Sequence, residues 1–434
     1  MKSPEGRVAS QRKSIKTICP PSATVRFTVI SGVTGFILSV AILKQTNLFQ
    51  GDVVAAAIWI MGLTAGAIFL IDLSWERVFL RDSAGLQKKT DASLGRTATK
   101  LLGLIGSFGF IALLYWLFPE YHGSFYDRYY LMLSRVLPAC LFFAPIYIYL
   151  VDARMVEPHD GYWQVGRLML FKTNGISHRE IWQHLLGWLI KGFFLPLMFI
   201  YMCDDLNKVL IRDLGQLSSF QAIYDYIYDY LYFIDVGFVS MGYLSALRLC
   251  DTHIRSAEPT LLGWAVALIC YEPFWSLIGR QYLAYETGMV WGSWLNGHPV
   301  LYTVWGSLIL FLVIVYVWST VAFGARFSNL THRGIITDGP YRWTKHPAYI
   351  AKNLSWWMIS IPFMGSGGGV EVMRHCALLL GLNLIYLLRA KTEERHLSSD
   401  PLYLAYAQWI DRNGIFGTLR RWLATHLNRY HSAR

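Results

Sequence analysis

Apolar runs close to twenty residues long recur from one end of this chain to the other. Runs of that length match the hydrocarbon thickness of a bilayer when they are helical. Inside hydrocarbon every backbone N–H and C=O must find its partner within the protein, which leaves helices for segments like these. The runs fall at about 25–43, 53–73, 101–118, 130–151, 185–203, 228–248, 261–278, 300–322, 349–364 and 372–389. The expectation is an all-α, polytopic helical membrane protein with about ten transmembrane helices. Charge content agrees: 15% of the 434 residues are Asp, Glu, Lys or Arg, against about 25% in soluble domains.

The net charge of +11 raises the question of a nucleic-acid partner. The positive residues lie between the apolar runs and not on one continuous patch, which argues for no nucleic acid and for a membrane protein oriented by its loops. With the N-terminus cytoplasmic, the inside segments are 1–24, 74–100, 152–184, 249–260, 323–348 and 390–434. They hold Arg77, Arg81, Lys88, Lys89, Arg154, Arg167, Arg255 and a basic C-terminus, whereas the opposite segment 204–227 carries Asp204, Asp205, Asp213 and Asp225. The prediction is an integral, multi-pass protein with both termini cytoplasmic. The basic start (Lys2, Arg7, Arg12, Lys13, Lys16) precedes the first run without a small-x-small cleavage site, so it reads as a tail. The six cysteines, at 19, 140, 203, 250, 270 and 376, show no CxxC or CxxH spacing. They are expected as isolated thiols, with no metal site.

A division is expected near residue 250. Residues 1–250 read as an N-terminal transmembrane bundle of unassigned role, and 251–434 hold almost all the polar clustering. Segment 271–299 is Trp-rich and reads as partly re-entrant. Ionisable residues at membrane depth are functional candidates. Asp235 lies mid-span and Glu272 near a span end, and a transporter would depend on them. Arg135 and Lys191 read as side chains that snorkel to the interface. The loop 151–170, with Asp152, Arg154, Glu157, His159 and Asp160, reads either as a cap salt-bridged to itself or as a flap over a cofactor mouth.

The densest polar stretch is RFSNLTHRGIITDGPYRWTKHPAYIAKN, from Arg326 to Asn353. Asp338-Gly339-Pro340-Tyr341 is a turn signal. Pro347 suits the first turn of a helix, where its missing N–H costs nothing. That places His346 at a helix mouth and Tyr349 one turn in. Beyond the tenth run comes Lys391-Thr392-Glu393-Glu394-Arg395-His396. Neighbours on a helix point about 100° apart, so Glu393 and Glu394 cannot face one way. One is free to receive a cationic amine while the other pairs nearby.

Together these segments resemble the integral membrane methyltransferases related to isoprenylcysteine carboxyl methyltransferase and phosphatidylethanolamine N-methyltransferase. The resemblance rests on Gly339, Tyr341, His346, Pro347 and Tyr349, then Glu393, Glu394, Tyr403 and Tyr406, with Ser328-Asn329 upstream, and it covers roughly 300–412. It implies S-adenosylmethionine as cofactor, with Tyr341, His346, Tyr349, Glu393 and Glu394 around it at the cytosolic face. It implies a lipidic or amphipathic acceptor arriving from the membrane, with Asn329, Arg333 and Trp356 assigned to that acceptor. Arg326, Arg342 and Lys345 are the cations assigned to orient the reacting group. Three positions depart from the pattern: Lys345 replaces the usual Arg, Ala351-Lys352-Asn353 replaces an expected Gly, and Asp400-Pro401 replaces Phe-Gly. A membrane reductase of the sterol-reductase type, using NADPH, and a non-enzymatic transporter are the alternatives.

Overall fold

The computed structural model describes residues 18–432, apart from 47, 214, 216 and 366. The basic start at 1–17 lies outside the described residues. The long helices are α1 (Arg26–Thr46), α2 (Val53–Ser74), α3 (Leu94–Leu117), α4 (Asp127–Asp152), α6 (His178–Ile211), α7 (Phe220–Leu244), α11 (Pro299–Val321) and α13 (Gly369–Leu397). Shorter ones are α5 (Gly161–Met169), α8 (Leu261–Leu268), α9 (Arg280–Tyr282), α10 (Trp291–Trp294), α12 (Pro347–Ser360), α14 (Pro401–Asn413) and α15 (Ile415–Ser432). Among the described residues, sheet is confined to a two-stranded antiparallel pair, β1 (Ser256–Ala257) and β2 (Thr331–His332), with Ser256 opposite His332.

The helix starts are written locally. Asp52, Ser93, Asp160, Ser177, Ser219, Thr260 and Asp400 each accept a hydrogen bond from a first-turn N–H, which satisfies donors the helix leaves orphaned. Pro299, Pro347 and Pro401 occupy first helical positions.

The chain is an all-α polytopic membrane protein. Seven helices among the described residues are long and apolar enough to cross a bilayer: α1, α2, α3, α4 with the turn before it, α6, α11 and α13. The other three expected runs take different forms. Run 228–248 lies in α7, which is 25 residues long but carries Asp225, Asp229 and Asp235. Run 261–278 breaks into α8 and a π turn at Trp275–Gly279. Run 349–364 gives α12, whose 14 residues span about 21 Å, short of a hydrocarbon core about 30 Å thick. Segment 271–299 is a series of short turns.

One buried cluster includes Phe36, Ile60, Phe199, Phe238 and Val313, and so draws on both sides of residue 250. Outside it, Phe142, Phe143 and Ile146 on α4 and Leu301, Phe311 and Ile314 on α11 are exposed. Such faces suit lipid and not water.

The charge-rich segments meet at one end of the bundle. Arg81 donates to the Ala23 carbonyl, and Ser83 to Asp251. The main chain at Gln87 and Asp91 bonds that at Arg154 and Ala153. Ala23 N–H bonds Ile335, Arg255 N–H bonds His332, and Ser256 lies 2.9 Å from His396. At the other end Asp52 pairs with Arg135 (2.7 Å), and Asp204 with Arg128. Arg135 thus sits at a bundle end. Lys191 does not: it is the fourteenth residue of α6, over the Trp188 ring at 5.5 Å.

Candidate functional site

The connector after α11 is held in shape by buried arginines. Arg333 donates to five main-chain carbonyls: Thr252, Gly242, Phe327, Ser245 and Ala325, at 2.7–3.2 Å. Arg326 pairs with Asp251, at 3.5 Å from its carboxylate, and donates to the same residue's carbonyl. Both lie along the cavity described next, with their guanidinium donors committed to protein oxygens. Gly339 turns the chain at φ +61°, with Trp318 Nε1 3.2 Å from where a Cβ would sit. That conformation and that neighbour both favour glycine.

His346 then precedes α12. Its ring stacks parallel to Tyr349, centroids 5.5 Å apart with a 4° tilt. The end of α13 approaches from the far side. Glu393 Oε2 accepts from the Tyr349 hydroxyl at 2.9 Å, and Glu394 Oε1 lies 3.1 Å from His346 Nε2. Lys391 holds the other Glu394 oxygen at 3.1 Å. The two adjacent acids thus take different hydrogen-bond partners at one helix mouth, with Glu393 Oε2 also 4.0 Å from His346 Nδ1, and Glu393 alone of the two lines the cavity.

The cavity is walled by Asn329, Tyr341, Lys345, His346, Tyr349 and Glu393, with Tyr403 and Tyr406 from α14. Tyr406 donates to the Tyr341 carbonyl at 2.6 Å, so α14 is tied to the connector. Burial, then the Glu393 carboxylate, pushes the Tyr341 phenol well above its ordinary range, leaving it a neutral donor. Lys345 reaches out to Asp411 at 2.8 Å. Arg342 is half-exposed, 4.0 Å from Asp338, and Trp356 packs edge-on against Tyr386; neither lines the cavity.

Two cations of the cavity carry no motif signal. Arg389, 7% exposed, donates to Asn329 Oδ1 at 2.7 Å and lies over the rings of Tyr271, Tyr349 and Tyr386 at 5.4–5.6 Å. Lys352 lies over Tyr316, Trp356 and Tyr386 at 5.1–6.0 Å. Arg389 was visible as a lone cation closing an apolar run. Lys352 was visible as a departure from the family pattern, one turn after Tyr349. Asp235 accepts from the Tyr316 hydroxyl at 2.6 Å, and Glu272 pairs with Arg280 at 3.3 Å. No residue of 151–170 lines this cavity. Among the described residues no cluster of His, Cys, Asp and Glu is suited to a metal ion.

No curated protein and no solved structure matches the chain. A family model does, over the segment from α11 to the end of α13 that builds most of this cavity. The C-terminal part of the chain, residues 300–399, matches the isoprenylcysteine carboxyl methyltransferase (ICMT) family, which supports a membrane methyltransferase.

Proposed function

We propose that this membrane methyltransferase takes its methyl group from S-adenosylmethionine held between the connector and the end of α13, and passes it to a lipidic or amphipathic acceptor. The observation that carries the reading is the pair of contacts joining α12 to α13, Tyr349 to Glu393 and His346 to Glu394. They bring both halves of the family pattern to one cavity. The donor set suits the cofactor: a carboxylate for its amino group, neutral phenols for its ribose and base, and aromatic faces for a cation. When bound, S-adenosylmethionine supplies an electrophilic methyl on a positively charged sulfur.

The chain's own task is then positioning and exclusion of water. Glu393 receives the amino group. Glu394 fixes the His346 ring, and the stack with Tyr349 holds the two rings parallel. Tyr341 donates as a neutral phenol. Arg326 and Arg333 are held by main-chain carbonyls and Lys345 by Asp411. The cations of the cavity without a carboxylate partner among the described residues are Arg389, which donates to Asn329, and Lys352, and these two orient an anionic acceptor group. The Lys/Arg bias of the shared end supports a cytoplasmic opening, with the catalytic machinery within 251–434.

Titration calorimetry tests this directly. S-adenosylmethionine should bind the purified protein, NADPH should not, and Glu393→Gln should weaken the binding about tenfold, a loss of about 1.4 kcal/mol. Binding of NADPH alone would favour the reductase. Binding of neither, with solute flux lost in Asp235→Asn, would favour transport. Mass spectrometry of membrane lipids gaining one CH₂ then identifies the acceptor.

A further inference from the structure

A second cavity lies between α3, α4, α6 and the segment after α7. It encloses about 540 Å³, against about 160 Å³ for the first, and shares no residue with it. The loop 151–170 and Lys191 border this space: Asp152, Met155, Glu157, Asp160, Gly161 and Tyr162 line it.

Its charges do not cancel. Lys100 is paired with Asp152 at 2.8 Å and Asp160 at 3.4 Å, and Asp152 also holds Arg96 at 2.7 Å. Arg255 is paired with Asp251 at 3.1 Å. Lys191 and Arg248 have no carboxylate partner among the described residues: Lys191 rests on Trp188, and Arg248 donates to the Ala84 carbonyl at 3.2 Å. The remaining lining acids, Glu157 and Glu180, are exposed. Beside the free cations, His253 Nδ1 and Arg255 Nε are buried without a hydrogen-bond partner. A cavity that holds a lysine and an arginine without carboxylate partners, beside buried polar atoms left unsatisfied, is expensive unless something supplies the missing partner.

One strip of the wall is apolar, with Leu104 from α3 and Ala144, Ile148 and Val151 from α4, while Gln183, His184 and Ser256 line other parts of it. The outer face of α4 is exposed at Phe142, Phe143 and Ile146, so one helix separates the space from lipid.

We propose that this cavity is a second ligand site, binding an amphipathic anion whose carboxylate or phosphate head meets Lys191 and Arg248 while its alkyl or isoprenoid tail lies along Leu104, Ala144 and Ile148. The site is independent of the methyl-transfer reading, because the two cavities have no lining residue in common. It gives the N-terminal bundle a function of its own.

Photo-crosslinking on the full-length protein in detergent tests it. Three diazirine probes with matched chains are compared: a fatty acid, a lysophosphatidic acid and a fatty alcohol. The expected result is labelling of α3 and α4 around Leu104, Ala144 and Ile148 by at least one anionic probe, and about tenfold less by the alcohol. Whichever anion labels more strongly identifies the head as carboxylate or phosphate. Lys191→Met should cut the anionic labelling about tenfold. Ala144→Trp, which leaves every charge in place, should block it by filling the tail path. Equal labelling by the alcohol, labelling confined to Phe142 and Phe143, or wild-type labelling of Ala144→Trp would overturn the proposal.

Discussion

His346 Nε2 and Glu394 Oε1 stand 3.1 Å apart although 48 residues separate them. Neither can move without the other, because Lys391 holds the second Glu394 oxygen and Tyr349 stacks on the imidazole. Glu394→Gln and His346→Gln should each weaken S-adenosylmethionine binding about tenfold. Residues that act as one unit couple by about 0.5–3 kcal/mol, so the double variant should be little worse than either single one. A calorimetric double-mutant cycle reads this, and simple additivity would sink the coupling.

Lys352 and Arg389 should separate acceptor from cofactor. Lys352→Gln removes a cation that sits over three rings and makes no ion pair among the described residues. Steady-state assays should show kcat/KM for the acceptor falling at least about tenfold, while the affinity for S-adenosylmethionine stays within about threefold of wild type. An equal loss in both would place Lys352 on the cofactor instead.

Arg333 should behave as a structural clamp. Arg333→Met strands five buried carbonyls, and the expected loss is about 3–5 kcal/mol, typical of breaking a buried charged network. Arg342→Met touches only a half-exposed pair with Asp338 at 4.0 Å, an interaction worth at most about 1 kcal/mol. Thermal unfolding in detergent should show a large drop for the first and almost none for the second.

Glycines on α3 offer a steric contrast. A Cβ at Gly103 would lie 1.9 Å from the Tyr162 carbonyl, a main-chain atom that cannot swing away, whereas Gly109 has nothing within 4 Å. Gly103→Ala should separate α3 from α5 and lower the melting point sharply. Gly109→Ala should leave it unchanged or raise it slightly, since alanine favours helix by about 1 kcal/mol.

Two buried histidines set an acid limit. Burial, then Arg255, pushes His332 down to about 4. Burial, then Arg248, pushes His253 down to about 2. Both are depressed below the unfolded value of about 6.5. Above that value neither state holds the proton and stability does not change. As pH falls below it, the unfolded chain takes protons that the fold refuses, so stability declines. The decline from His332 ends near its folded value, and that from His253 continues further. By pH 5 His332 alone should cost on the order of 2 kcal/mol. His332→Gln should flatten the loss in melting temperature between pH 7 and pH 5, and an unchanged slope would remove His332 as its source.

Much of this arrangement could be read from residue types and their order. The apolar runs found most of the long helices, and Pro347 marked the start of α12 because the first turn of a helix is local chemistry. The charge-rich segments meet at one end of the bundle. Pairings were less legible. Arg326 and Arg333 look like free cations in a string of letters, but only the folded chain reveals which carbonyls they fill. Arg389 and Lys352 entered no motif, since their ring partners lie just after α8 and on α11, α12 and α13, which spacing does not connect. The second cavity had no sequence signature because four separated segments build it, although its loop and Lys191 had stood out singly.

The brevity of α12 bears on the surrounding lipid. A 14-residue helix that stops at Ile361, in a left-handed turn followed by Pro362, is shorter than the hydrocarbon core of a typical bilayer. Acyl chains beside it must shorten, tilt or crowd inward to avoid a void. Host membranes built from shorter chains should fit that flank with least distortion, so turnover in reconstituted vesicles ought to vary with acyl length even when headgroup and substrate are held constant.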